Sequence, residues 1–240
     1  MSRFRSFKRR ASRLQEKKCL ATGTQVIYYR RKEKSFRKFF TETSNLIYCH
    51  DVNGLVEKFS IKYEPSNWRL FIDSSTKSLK AILLHNGNVY APLPVAHSVV
   101  LNEEYYNMHF LLQKLKYDTH RWDICGDLKI STILLGLQKG FTSYPCFLCE
   151  WNSRARDEHY VRSVWLPRKT LTSGVKNVEK KSLVPSYKVL LPPLHIKLGI
   201  VKQLVKAMSK VKSAAFMHIF EILPSLSEAK INEGVLREFR

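Results

Sequence analysis

The chain has 240 residues, 44% of them hydrophobic, which suits one large folded domain or two small ones and argues against wholesale disorder. Lys and Arg number 41 against 20 Asp and Glu, a net charge of +21, so a compact state repels itself and an anionic partner is the natural explanation. No run of 18 apolar residues marks a membrane-spanning helix, and no apolar signal core follows the basic N-terminus. The expected partner is therefore nucleic acid, with an anionic membrane surface second, and the expected location is nuclear or cytoplasmic rather than secreted.

The charge is uneven. Residues 1–40 hold 14 basic and 2 acidic residues, a net of +12, more than half of the excess. This basic arm, taken as residues 1–44 and partly disordered, carries Arg3, Arg5, Lys8, Arg9, Arg10, Arg13, Lys17, Lys18, Arg30, Arg31, Lys32, Lys34, Arg37 and Lys38. Phe4, Phe7 and Leu14 are interleaved with the first cluster, and basic runs with aromatics bind phosphates and stack on bases. A nuclear-import signal or a solvated tail reads the same way in sequence.

Asp51 suits the N-cap of a short helix from Val52 to Phe59. Strands are expected at Trp68–Asp73 and Leu79–His85, both rich in aromatic and branched residues. Asn86-Gly87-Asn88 has the chemistry of a type I′ hairpin turn into a third strand, Val89–Val100, whose first half Pro92 and Pro94 make irregular. Apolar residues at Tyr105, Met108, Leu112 and Leu115 predict a helix over 102–117. A fourth strand follows at Trp122–Asp127, then a short helix from Ile130 to Gln138, stopped by Gly140. Residues 150–190 are polar and irregular. From His195 to Met208 the residues Ile196, Ile200, Val201, Leu204, Val205 and Met208 share one helical face, begun by Pro192-Pro193. Three antiparallel strands, a helix, a fourth strand and a helix make a mixed α/β pattern, the order of an RNase H-like core.

Five cysteines without a secretory signal fit a reducing compartment. Cys19, Cys49 and Cys125 read as free thiols. Cys146 and Cys149 form a Cys-x2-Cys pair, and with His159 and His195 they supply the four soft or borderline ligands of tetrahedral Zn²⁺. A metal-free thiol pair is the alternative. Asp73 and Asp127 each end a strand; each also has a bland role, Asp73 in a turn and Asp127 as the N-cap of the next helix.

The stretches Trp68-Arg69-Leu70-Phe71-Ile72-Asp73-Ser74-Ser75, Leu84-His85-Asn86-Gly87-Asn88, Cys125-Gly126-Asp127-Leu128-Lys129, the run from Leu135 to Trp151 around Tyr144-Pro145-Cys146-Phe147-Leu148-Cys149, and Leu191-Pro192-Pro193-Leu194-His195-Ile196-Lys197-Leu198-Gly199 resemble a family of arthropod proteins related to cut-and-paste DNA transposons. The resemblance covers about residues 45–240. It implies an RNase H-like DDE transposase domain over 45–240, with a Cys/His-bearing insertion at about 141–194. Asp73 and Asp127 then match the first two of three carboxylates that hold Mg²⁺ or Mn²⁺ for phosphoryl transfer. The third is expected on a helix beyond Ile231-Asn232-Glu233-Gly234-Val235, and relative to the resembling family the chain reads as C-terminally truncated at Arg240. The expected function is a transposon-derived, catalytically degenerate nucleic-acid-binding protein, with DNA as its partner. An active metal-dependent DNA strand-transfer or nuclease enzyme is one alternative. A zinc-stabilised protein-interaction module is the other.

Overall fold

The computed structural model describes residues 35–75, 78–140, 142–210 and 214–222. Most of the basic arm, Arg3 to Lys34, lies outside the described residues, as does the segment after 222 where a third carboxylate was expected. Arg37 and Lys38 are described and exposed, Lys38 with its ammonium 4.9 Å from the centre of the Phe39 ring.

The architecture is mixed α/β, a seven-stranded mixed sheet with flanking helices. Strands β1 (Phe40–Thr43) and β2 (Leu46–Cys49) form a hairpin turned by Ser44 and Asn45, both at positive φ. They are followed by β3 (Trp68–Ser75), β4 (Ser78–His85), β5 (Leu93–Ser98), β6 (Asp123–Cys125) and β7 (Val189–Leu190). Their spatial order is β1-β2-β5-β4-β3-β6-β7. Pairing is antiparallel from β1 across to β3 and parallel from β3 through β6 to β7.

Alternation sets the faces. Trp68, Leu70 and Ile72 of β3 and Leu79, Ala81 and Leu83 of β4 point into one core. Helices α1 (Val52–Glu57), α2 (Tyr105–Lys114), α3 (Tyr117–His120) and α4 (Leu128–Leu134) contribute Leu55, Met108, Leu111, Tyr117, Ile130 and Ile133 to the same cluster. At its floor the indole of Trp122, 1% exposed, donates to the Tyr63 hydroxyl at 3.0 Å and stacks on His120. Tyr63 in turn meets His120 Nδ1 at 2.9 Å. An indole N–H only donates, so the phenol oxygen accepts from Trp122 and its own proton is free to go to His120 Nδ1.

Several expectations shift in the structure. The arm does not run to residue 44, because Phe40–Thr43 is the edge strand of the sheet. The turn after β4 is not type I′: its positive φ falls on Asn88, one residue past Asn86-Gly87. Asn88 N–H bonds back to His85, so the turn is closed before the αL residue and β5 starts only at Leu93, after the first proline. The helix expected over 102–117 breaks at Lys116, which has φ 52°, and resumes as the single turn α3. The helix after β6 ends at Leu134, and Gly136 stops it instead of Gly140.

Gly136 has φ +65°, and a Cβ there would sit 2.2 Å from the carbonyl oxygen of Lys180. Its own carbonyl accepts from Glu179 N–H and Lys180 N–H, which ties the returning chain to the end of α4. Two last helices, α5 (Pro193–Lys210) and α6 (Ala214–Ile222), pack together. On α5 only part of the expected apolar face is covered: Val205 is buried while Ile200 and Leu204 are exposed.

Candidate functional site

The carboxyl ends of the parallel strands gather the polar groups. The printed pairs of β3 and β6 are Arg69 with Asp123, Leu70 with Ile124 and Phe71 with Cys125. The pairing ends there: Asp73 lies two residues further along β3, which continues to Ser75, and Asp127 lies two residues beyond β6, as the N-cap of α4. Gly126 permits the close approach of the two segments, since a Cβ there would lie 2.9 Å from the Ile72 carbonyl oxygen and 2.9 Å from Ile130. Crevices at the carboxyl ends of parallel strands are where open α/β sheets bind ligands.

The two aspartates differ in their surroundings. Asp73 is exposed, whereas Asp127 is half-buried and caps α4, accepting from Ile130 N–H at 2.7 Å. A third carboxylate reaches the same end of the sheet, from a position that sequence reasoning missed. Glu103, just before α2, has a side chain only 12% exposed. One of its oxygens accepts from Ser74 Oγ at 3.3 Å, and the other pairs with Lys129 of α4. No local pattern marks Glu103. Only the fold brings it back, 29 residues after Ser74. Among the described residues, no group of three or more His, Cys, Asp or Glu is gathered closely enough to hold a metal ion.

Between α4 and β7 the described residues of 135–188 hold only short 3-10 turns and isolated bridges. Leu148 and Glu150 bond to Arg168 and Leu166, which frames Cys149 in a small two-stranded loop. Cys146 and Cys149 are both half-buried and lie within hydrogen-bonding reach of each other. Burial first, and then that contact, push the Cys149 thiol up, while the nearby Arg168 guanidinium acts in the opposite direction.

His159 does not join the cysteines as expected. It stacks on Trp151 with centroids 4.9 Å apart, and its Nε2 lies 2.8 Å from the Asn152 carbonyl oxygen. A carbonyl only accepts, so Nε2–H is the donor in this bond. His195 belongs to the first turn of α5. Among the described residues the two thiols lie together, and no third ligating side chain is gathered with them.

This is a mixed α/β domain with Asp73 near the end of β3, Asp127 capping the helix after the neighbouring parallel strand β6, and an irregular loop carrying a cysteine pair. Residues 28–184 match the family described as Domain of unknown function (DUF8703), more than half of the chain, and the chain belongs to that family. Residues 193–239 match a second, Domain of unknown function (DUF8704). Strand β7 lies in the short stretch between the two matches. No curated protein and no solved structure matches the chain.

Proposed function

We propose that the chain is a transposon-derived nucleic-acid-binding protein built on an RNase H-like core, whose metal-dependent strand-transfer chemistry has lapsed. The observation that carries the reading is the parallel pairing of β3 with β6, with Asp73 and Asp127 each two residues beyond the last paired residues, Phe71 and Cys125. The order β5-β4-β3-β6-β7, with only β3, β6 and β7 running parallel, supports the same core. The net charge of +21 supports a polyanionic partner, because Lys and Arg gain affinity by releasing counterions from phosphates. Arg3 to Lys18 and Arg30 to Lys38 supply most of that attraction, with DNA as the partner and a nuclear or cytoplasmic location.

Loss of chemistry follows from how the acids are used. Asp127 is committed to its cap, and Glu103 is neutralised by Lys129. Mg²⁺ or Mn²⁺ at Asp73 and Asp127 would polarise a phosphate and activate water. One observation favours a second reading, in which this chemistry persists: Glu103 brings a third carboxylate to the same sheet end through Ser74.

Cys146 and Cys149 are proposed as the thiolate half of a structural Zn²⁺ site. His159 would complete it through Nδ1 and His195 from the start of α5. An imidazole that donates its other nitrogen to a backbone carbonyl is the usual arrangement behind a metal-bound histidine.

The discriminating experiment incubates the full chain with end-labelled duplex and single-stranded DNA, with and without Mg²⁺ or Mn²⁺. The proposal expects binding without strand cleavage or joining. Metal-dependent cleavage that disappears in Asp73→Asn and Asp127→Asn establishes the second reading instead. Absence of binding to any nucleic acid at low salt overturns both.

A further inference from the structure

A cavity of about 480 Å³ opens beside the carboxylate end of the sheet, between the start of α2, the end of α4 and residues 179–180. It lies next to Glu103, whose backbone carbonyl accepts from Lys139 Nζ at 3.3 Å. Ile133 and Leu137 give it an apolar base. Tyr105 and Tyr106 stand edge to face at its rim, with centroids 5.6 Å apart. Lys180 Nζ lies 4.7 Å from one ring centre and 4.5 Å from the other.

The two tyrosines are not equivalent. The hydroxyl of Tyr105 donates to the Lys181 carbonyl at 2.7 Å, which anchors that ring to the returning chain. Tyr106 is 71% exposed. The walls are fixed before anything binds, because Gly136 O holds Glu179 N–H and Lys180 N–H and Leu134 O holds Leu183 N–H. A planar group entering here meets a tyrosine to stack on, two ammonium groups, and the acceptors of Glu104 and Glu179.

We propose that this cavity takes one unpaired nucleobase of the strand whose phosphates lie at the Asp73–Asp127 end of the sheet. The inference rests on the nucleic-acid reading above and names the part of the partner bound here. The volume lies in the range that encloses a small planar ligand. Every base offers a face for stacking, so Tyr106 holds it without demanding a sequence. Lys139 and Lys180 balance the flanking phosphates. The Glu104 and Glu179 carboxylates accept from exocyclic amino groups, which adenine, guanine and cytosine have and thymine lacks. An unpaired thymine is therefore the weakest occupant.

The test compares blunt duplex DNA with the same duplex carrying a three-nucleotide single-stranded overhang. 2-Aminopurine replaces the first unpaired base, and anisotropy and fluorescence are read on the full chain. Tyr106→Ala should weaken overhang binding about tenfold and abolish the quenching. It should leave blunt-duplex binding unchanged, and Tyr106→Phe should restore both signals. A Tyr106→Ala protein that binds the overhang as the parent does, or that loses blunt and overhang binding equally, overturns the inference. So does a mononucleotide that competes as well as the overhang does. If the parent binds the overhang duplex without quenching, the cavity fails while the nucleic-acid reading stands; if it binds neither DNA, both fail.

Discussion

Asp127 caps α4, and two substitutions separate the role of its hydrogen bond from that of its charge. Its Oδ1 accepts from Ile130 N–H at 2.7 Å, at the first turn of a helix whose Ile130 side chain is 1% exposed. Asp127→Ala removes the acceptor and leaves a poorly solvated N–H behind. Loss of an N-cap costs about 0.5–2 kcal/mol, and the poorly solvated donor left behind puts this half-buried site near the upper end, about 2 kcal/mol. Asp127→Asn keeps an oxygen in the same place and caps as well, so it should stay within about 0.5 kcal/mol of the parent. Urea unfolding followed by circular dichroism reads both values, with an unchanged slope as the check that only stability moved. If Asn destabilises as much as Ala, the charge and not the hydrogen bond matters, and the capping argument is refuted. If neither substitution changes stability, the bond does not hold α4.

Gly136→Ala should destabilise by more than 3 kcal/mol, because the new Cβ meets the Lys180 carbonyl at 2.2 Å in a left-handed backbone; a midpoint shift near zero in the same unfolding assay would contradict the clamp. Burial, and then the Lys116 charge, lower the His120 pKa below its ordinary 6.5, so the unfolded chain binds the proton more readily than the folded one. Stability should therefore fall as pH drops through 6.5 and level off below the folded pKa, and His120→Asn should remove that part of the slope in unfolding curves at pH 7.5 and 5.5. Zinc analysis of the purified protein should find one equivalent, lost in Cys146→Ser; a zinc-free protein whose folding ignores that substitution leaves the cysteines as a plain thiol pair.

The central strands were legible because alternation is a local signal: Trp68, Leu70 and Ile72 repeat at every second position and are the residues buried. Asp51 and Asp127 as caps were legible too, from a single acidic residue ahead of an apolar run. The β1–β2 hairpin was not expected, although Ser44-Asn45 is suitable turn chemistry, because the surrounding basic charge obscured four-residue strands. Two-residue β7 has no local signature and exists only by pairing with β6. Gly136 and Gly140 look alike in sequence, and only the approach of the Lys180 backbone distinguishes them. The same holds at the site. Asp73 and Asp127 stood out as acids closing strand-like runs, although β3 continues to Ser75 and β6 stops at Cys125, whereas Glu103 and Lys129 reach that end of the sheet through contacts that no short motif encodes.

The most direct test of nucleic-acid binding is a salt titration of DNA affinity for the full chain and for a version lacking residues 1–34, which hold 12 basic and 2 acidic residues, a net of +10. Affinity should fall steeply with salt, with a log–log slope of about −0.9 per phosphate contacted on duplex DNA. The shortened protein should bind more weakly, with a shallower slope, and neither should strongly prefer a sequence. Tight binding that ignores salt, or no binding even at low salt, contradicts the account and leaves the protein-interaction reading in its place.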